Sequence, residues 1–125
     1  MTPRKKVRYQ TLFKEMSAPP PMPGRKDDSG KPRYHLIPPF AELEVVNVLT
    51  YGGNRYGDNN WENILAAPGG VHRYLSGVLR HIAAYRRGSP HDPDSSYHHL
   101  AHAICGLLFI LEGDMLGWDR EEPPE

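Results

Sequence analysis

Proline breaks the hydrogen-bond ladder of a helix or a central strand, so the thirteen prolines of this 125-residue chain partition it before any other signal is read. Eight of them lie within the first 39 residues, around the stretch "SAPPPMPGRKDDSGKPR". That composition favours an extended, solvated conformation. Three stretches with few prolines remain, and their apolar residues recur with a helical period. The sequence therefore predicts an all-α compact helical domain of three main helices plus a long loop. Its expected organisation is a proline-rich arm over 1–30, a helical domain over 31–118 and an acidic tail over 119–125.

The first helix enters through "IPPF" and is expected to stop at Gly52 and Gly53. Phe40, Leu43, Val45, Val46, Val48 and Leu49 make it apolar around most of its circumference. Only Glu44, Asn47 and Tyr51 interrupt that surface, at spacings of three and four. A carboxylate on an otherwise buried helix is costly unless it is paired or holds a metal, which singles out Glu44. The stretch "GGNRYGDNNWENILAAPGG" then reads as a loop with at most one short turn. It carries Arg55, Tyr56, Asn60 and Trp61: a cation, two aromatic rings and an amide, side chains suited to a nucleotide and equally able to cap a core.

The second helix, about 71–87, carries a stripe of Val71, Tyr74, Leu75, Val78, Leu79, Ile82 and Tyr85, with His81 on its flank and Arg80 pointing away. For the third helix, Asp92 reads as the N-cap and Pro93 as the first helical position. Leu100, Ile104, Leu107, Leu108 and Leu111 are expected to face the core, with His99 and His102 on the opposite side. Apolar surface all round three helices exceeds what one small domain can cover, so a homodimer or homotetramer is expected.

Fifteen basic residues balance fifteen acidic ones, which gives no reason to expect nucleic acid or an anionic membrane as a partner. The single cysteine, Cys105, excludes an intramolecular disulfide and reads as a small buried residue. No continuous apolar run approaches the roughly 18 residues that cross a bilayer. These features together lead to the expectation of a cytoplasmic protein.

Imidazoles and carboxylates converging between helices are the ligands divalent metals take. With one cysteine, a structural zinc site is not the expectation; several carboxylates point to Mg²⁺ or Mn²⁺, ions that act on phosphate esters. Two other readings stand beside this one. The histidines can hold a metal for structure or sensing only, and the adjacent His91-Asp92 pair resembles that of the HD-domain phosphohydrolases, although a proline flanks it on either side.

In combination, "DDSGKPRYHLIPP", "LTYGGNRYGDNNW", "RHIAAYRRG" and "DPDSSYHHLAHAICGLLFILE" resemble the phage dATP/dGTP diphosphohydrolase family. These MazZ-like proteins are related to the all-α MazG and HisE nucleotide pyrophosphatases. The similarity covers about residues 28–112. It implies hydrolysis of a purine deoxynucleoside triphosphate to the monophosphate and pyrophosphate with Mg²⁺ or Mn²⁺, two or more ions being expected. In phages that replace adenine by 2-aminoadenine, such an activity supplies dGMP. By position, the resemblance implies metal roles for Glu44, His81, Asp92, Asp94, His99 and His102. It implies nucleotide-side roles for Lys31, Arg55, Tyr56, Asn60 and Trp61, with Arg80 as a further cation for the triphosphate. Glu44 and His98 are the expected catalytic residues, His98 as a general base outside the metal shell. The chain departs from the family pattern at Arg55, where lysine is usual, at Asp94, where glutamate is usual, and at Ser96, where glycine is usual.

Overall fold

The computed structural model describes residues 24–118; the first 23 residues of the expected arm and the expected acidic tail lie outside the described residues. The chain divides into two units, Met1–Arg33 and Tyr34–Glu125. In the first, the Ser29 N–H donates to Asp27 Oδ1 at 3.1 Å and the Lys31 N–H to the Asp28 carbonyl at 3.0 Å. A turn results, with Gly30 at φ 74°.

The second unit is all-α among the described residues, as expected. A 3-10 turn at Tyr34–Leu36 leads to α1 (Pro39–Tyr56), α2 (Asn60–Ala66), α3 (Gly70–Arg86) and α4 (His99–Leu116). The predicted long loop is thus largely helical. α1 runs through Gly52 and Gly53 and ends at Gly57, whose φ is 95°. Two interior glycines cost a helix roughly 1 kcal/mol each, which packing of α1 against α4 offsets. The turn from α2 into α3 needs a glycine for a different reason. A Cβ on buried Gly70 would overlap the Ile64 carbonyl oxygen, so α3 starts in contact with the backbone of α2.

Helix α4 begins at His99 rather than at Pro93. Asp92 Oδ1 does accept the Asp94 and Ser95 N–H groups, at 2.7 and 3.0 Å, but it closes a turn and not a helix. The chain then passes through Ser96 at φ 69° and pairs His91 with His98 in an antiparallel bridge. The helix cap is His98, whose Nδ1 accepts the Leu100 N–H at 3.0 Å.

Packing overturns the expected core. α4 packs on all three other helices, most extensively on α3. Its buried residues are His99 and the small Ala101, Ala103, Cys105, Gly106 and Gly113. The predicted leucine stripe is left out: Ile104, Leu107, Leu108 and Leu111 are exposed. Small residues win this face because they let two helices approach closely; a Cβ on Gly106 would stand 2.6 Å from Val78 Cγ2 of α3. α1 is inverted in the same sense. Its polar stripe of Glu44, Asn47 and Tyr51 is half-buried together with buried Val48, while Phe40, Leu43, Val46 and Leu49 are exposed.

At 18 residues and a mean hydropathy of 1.4, α4 is by length and composition apolar enough to cross a membrane, unlike any continuous apolar run in the sequence. It carries His99 and His102 against the other helices, and we read it as the central helix of the bundle.

Candidate functional site

Three histidines and one aspartate meet where α3, α4 and the connection between them come together. His81 projects from α3, and His99 and His102 from successive turns of α4. His81 Nδ1 and His99 Nδ1 are 2.9 Å apart, so in the neutral forms one ring donates and the other accepts. Asp92 Oδ2 lies 3.8 Å from the first and 4.0 Å from the second. The His81 and His102 rings stack at 4.6 Å, and His102 Nε2 meets Ser95 Oγ at 2.6 Å.

Burial dominates the electrostatics. It holds the His81 pKa below the ordinary imidazole value, with His102 and His99 adding to the effect and Asp92 opposing it. His102 is lowered first by burial as well, against Asp92 and Glu44 and with His99. At Asp92 burial pushes upward, but the N–H bonds from Ser95 and Asp94, with His102 and His81, outweigh it and keep the carboxyl below its usual range. Near neutral pH His81 and His102 are therefore uncharged imidazoles beside an ionised Asp92 carboxylate. One nitrogen each of His81 and His99 and one oxygen of Asp92 lie within 4.8 Å of one another, the donor set of a divalent metal.

A cleft of about 840 Å³ runs from this cluster to α1 and α2. Its lining includes His81, Asp92, Asp94, Ser95 and His102 as well as Tyr51, Arg55, Tyr56, Asn60 and Trp61. Arg55 is exposed, and its Nη1 donates to the Tyr51 hydroxyl at 2.7 Å. That bond and the two neighbouring tyrosines raise the guanidinium pKa further, and the Asp94 charge adds to it. The guanidinium stands 5.2 Å from the Tyr56 ring centre.

Other expected site residues are placed differently. Glu44 borders α4 from α1: Oε2 accepts the His98 N–H and Oε1 the Asn47 amide, both at 3.3 Å. The half-buried carboxylate is thus satisfied at a helix N-terminus, where the dipole also favours it. His98 is committed to its cap and packs against Tyr85 and His91. Arg80 bonds Ser76 Oγ at 3.0 Å and lines a separate cleft of about 800 Å³ with His72 and Arg73. Trp61 stacks on Phe109 at 5.1 Å and on Trp118 at 5.9 Å, so its ring is already engaged in apolar packing. Lys31 belongs to the first unit. Two residues at the site, both placed on polar helix faces from the sequence, were expected to have no role in it. Ser95 bonds a cluster histidine, and Tyr51 bonds Arg55; the signal for Tyr51 was its place four residues before that arginine on the polar stripe of α1.

Fold and site define the class: an all-α domain with a histidine–aspartate cluster at one side of a cleft large enough for a nucleotide. The chain matches the family described as dATP/dGTP diphosphohydrolase, N-terminal, over residues 21–120, and it belongs to that family. A curated relative from Salmonella phage PMBT28, a dATP/dGTP diphosphohydrolase, is 38% identical over 90 residues. These residues are 72% of this chain and 29% of the relative, so the chain spans less than a third of that protein's length. No solved structure matches the chain.

Proposed function

We propose that the domain hydrolyses a purine deoxynucleoside triphosphate, dGTP or dATP, to the monophosphate and pyrophosphate with a divalent metal. The observation that carries this reading is a cleft lined both by His81, Asp92 and His102 of the cluster and by a cation, a tyrosine and an amide. His81, Asp92 and His99 would hold an ion, with His102 next to them. Two nitrogens and one oxygen suit Mn²⁺ better than Mg²⁺, which prefers oxygen ligands throughout. A bound ion there neutralises phosphate charge and acidifies water.

The remaining roles belong to the chain. Arg55 holds the triphosphate as a fixed cation, the charge-preserving replacement for the family's lysine, with a planar fork for two phosphate oxygens. Tyr56, exposed at the cleft mouth, stacks on the base, and the Asn60 amide reads a purine edge. Asp94 serves a second ion. Glu44 acts through the start of α4, which it ties down next to His99, and a general base role for His98 requires its release from the cap. Arg80 is a further cation for the triphosphate. In a phage with 2-aminoadenine DNA, dGMP is the product of use.

The test is incubation with each deoxynucleoside triphosphate and Mn²⁺ or Mg²⁺. Monophosphate plus pyrophosphate is expected, faster with Mn²⁺, and lost in His99→Ala and Glu44→Gln proteins that keep their helical circular dichroism. Absence of turnover with every substrate would sink the enzymatic reading and leave a metal-binding module. Nucleoside plus triphosphate would point to the HD-type reaction instead.

We also propose that the domain is a homodimer or homotetramer. The exposed apolar residues of α1, α3 and α4, Leu43 at 56%, Leu79 at 63% and Leu111 at 55% among them, support this.

A further inference from the structure

Tyr51 is a polar side chain of the cleft that the proposed function leaves without a role. Its ring is half-buried and held edge-on by two neighbours, Tyr97 at 6.1 Å and His102 at 6.4 Å. Its hydroxyl oxygen is an acceptor for Arg55. A phenol that accepts one hydrogen bond still carries its own proton, and among the described residues no protein acceptor takes it. An O–H beside a guanidinium does not seek another cation. It is available to an anionic oxygen entering the cleft, and donation from arginine to the phenol oxygen makes it a stronger donor.

We propose that Tyr51 is a phosphate-binding residue: its O–H donates to a non-bridging oxygen of the substrate's phosphate chain, next to the oxygen that Arg55 holds. The inference rests on the reading of the cleft as a triphosphate site and adds a second donor to it. Tyr51 stands between Arg55 on one side and, through its contact with His102, the histidine cluster on the other. The phosphate it contacts is therefore one that lies between the cation and the metal ligands. Its fixed ring means that little side-chain freedom is lost when the bond forms.

Tyr51→Phe removes the hydroxyl and keeps the ring against Tyr97 and His102. The probe is inorganic tripolyphosphate, titrated calorimetrically in the presence of Mg²⁺ into wild type, Tyr51→Phe, Arg55→Gln and the double variant. The expected result is a loss of about tenfold or more for Tyr51→Phe, the range for a hydrogen bond to a charged group, and a loss of several-fold or more again when Tyr51→Phe is added to Arg55→Gln. Affinity within twofold of wild type, or no binding of tripolyphosphate to wild type, overturns the proposal. So does the absence of any further loss in the Arg55→Gln background, since Tyr51 would then act only by positioning Arg55. A chain that binds tripolyphosphate through Tyr51 but releases no pyrophosphate from any deoxynucleotide separates the two claims. The hydrolase reading fails in that case and the phosphate contact stands.

Discussion

Single residues in this protein carry two kinds of constraint, charge state and backbone conformation. His81 and His102 both titrate below the ordinary histidine value in the folded chain, with burial the leading cause, whereas in the unfolded chain they return to about 6.5. The unfolded state then binds more protons, so stability rises with pH through this window. The metal-free protein is expected to hold a constant urea midpoint above about pH 7.5 and to lose stability as pH falls below about 6.5. A midpoint that stays flat down to pH 5 would contradict the burial of these rings. Asp92, also lowered, changes stability in the same direction but in a lower window: its folded-state advantage is present above about pH 4 and is lost as pH falls below that. The backbone constraint sits at Ser96, whose φ of 69° is in the left-handed region. Ser96→Gly is expected to stabilise the fold by up to about 1 kcal/mol, since the relief of a left-handed side chain exceeds the added freedom of the unfolded chain. Chemical denaturation of the two proteins measures it directly.

Elements pack here by proximity rather than by large apolar side chains. The α3–α4 contact is built on Val78 at 4% exposure against Gly106, while Ala101 and Cys105 are buried against Val48 of α1. Burial also pushes the Cys105 thiol up to about 11, and its Sγ donates to the Val45 carbonyl at 3.5 Å, so this cysteine serves packing and not reactivity. Adding a methyl at Gly106 forces α3 and α4 apart or Val78 off its rotamer. Gly106→Ala should destabilise by about 1–3 kcal/mol and, because the same two helices carry His81 and His99, should weaken Mn²⁺ binding as well. A melting temperature and a Mn²⁺ titration read the two effects separately. Unchanged values in both would mean that the contact is looser than the geometry of these helices states.

At the scale of the whole molecule the distribution of apolar surface is the controlling fact. The faces of α1 and α4 that pack within the chain are the polar and small-residue ones, and the faces rich in leucine and valine are turned outward. Association of copies through those faces accounts for both halves of the pattern. Light scattering over a dilution series should give two or four times the 14.2 kDa chain mass at micromolar concentration. A mass that stays at one chain, with the described helices still formed, would leave the outward apolar faces to be covered by something other than a second copy.

Helical class was legible from the proline spacing and the apolar period, because both act locally along the chain. Of the candidate site, Asp92 and His99 stood out by residue type, whereas His81 was singled out only through the family resemblance; the structure brings the three together. Helix boundaries were not legible, since Gly52, Gly53 and Pro93 express local tendencies worth about a kilocalorie each, which packing and the Asp92 turn override. Which face of each helix turns inward was decided only by the tertiary structure. Period alone marks an apolar stripe as core, but two helices joined through glycine and alanine bury their small faces against each other and leave the leucines for another surface. The same close approach brings the His81 and His99 nitrogens to 2.9 Å, a distance that no spacing in the sequence expresses.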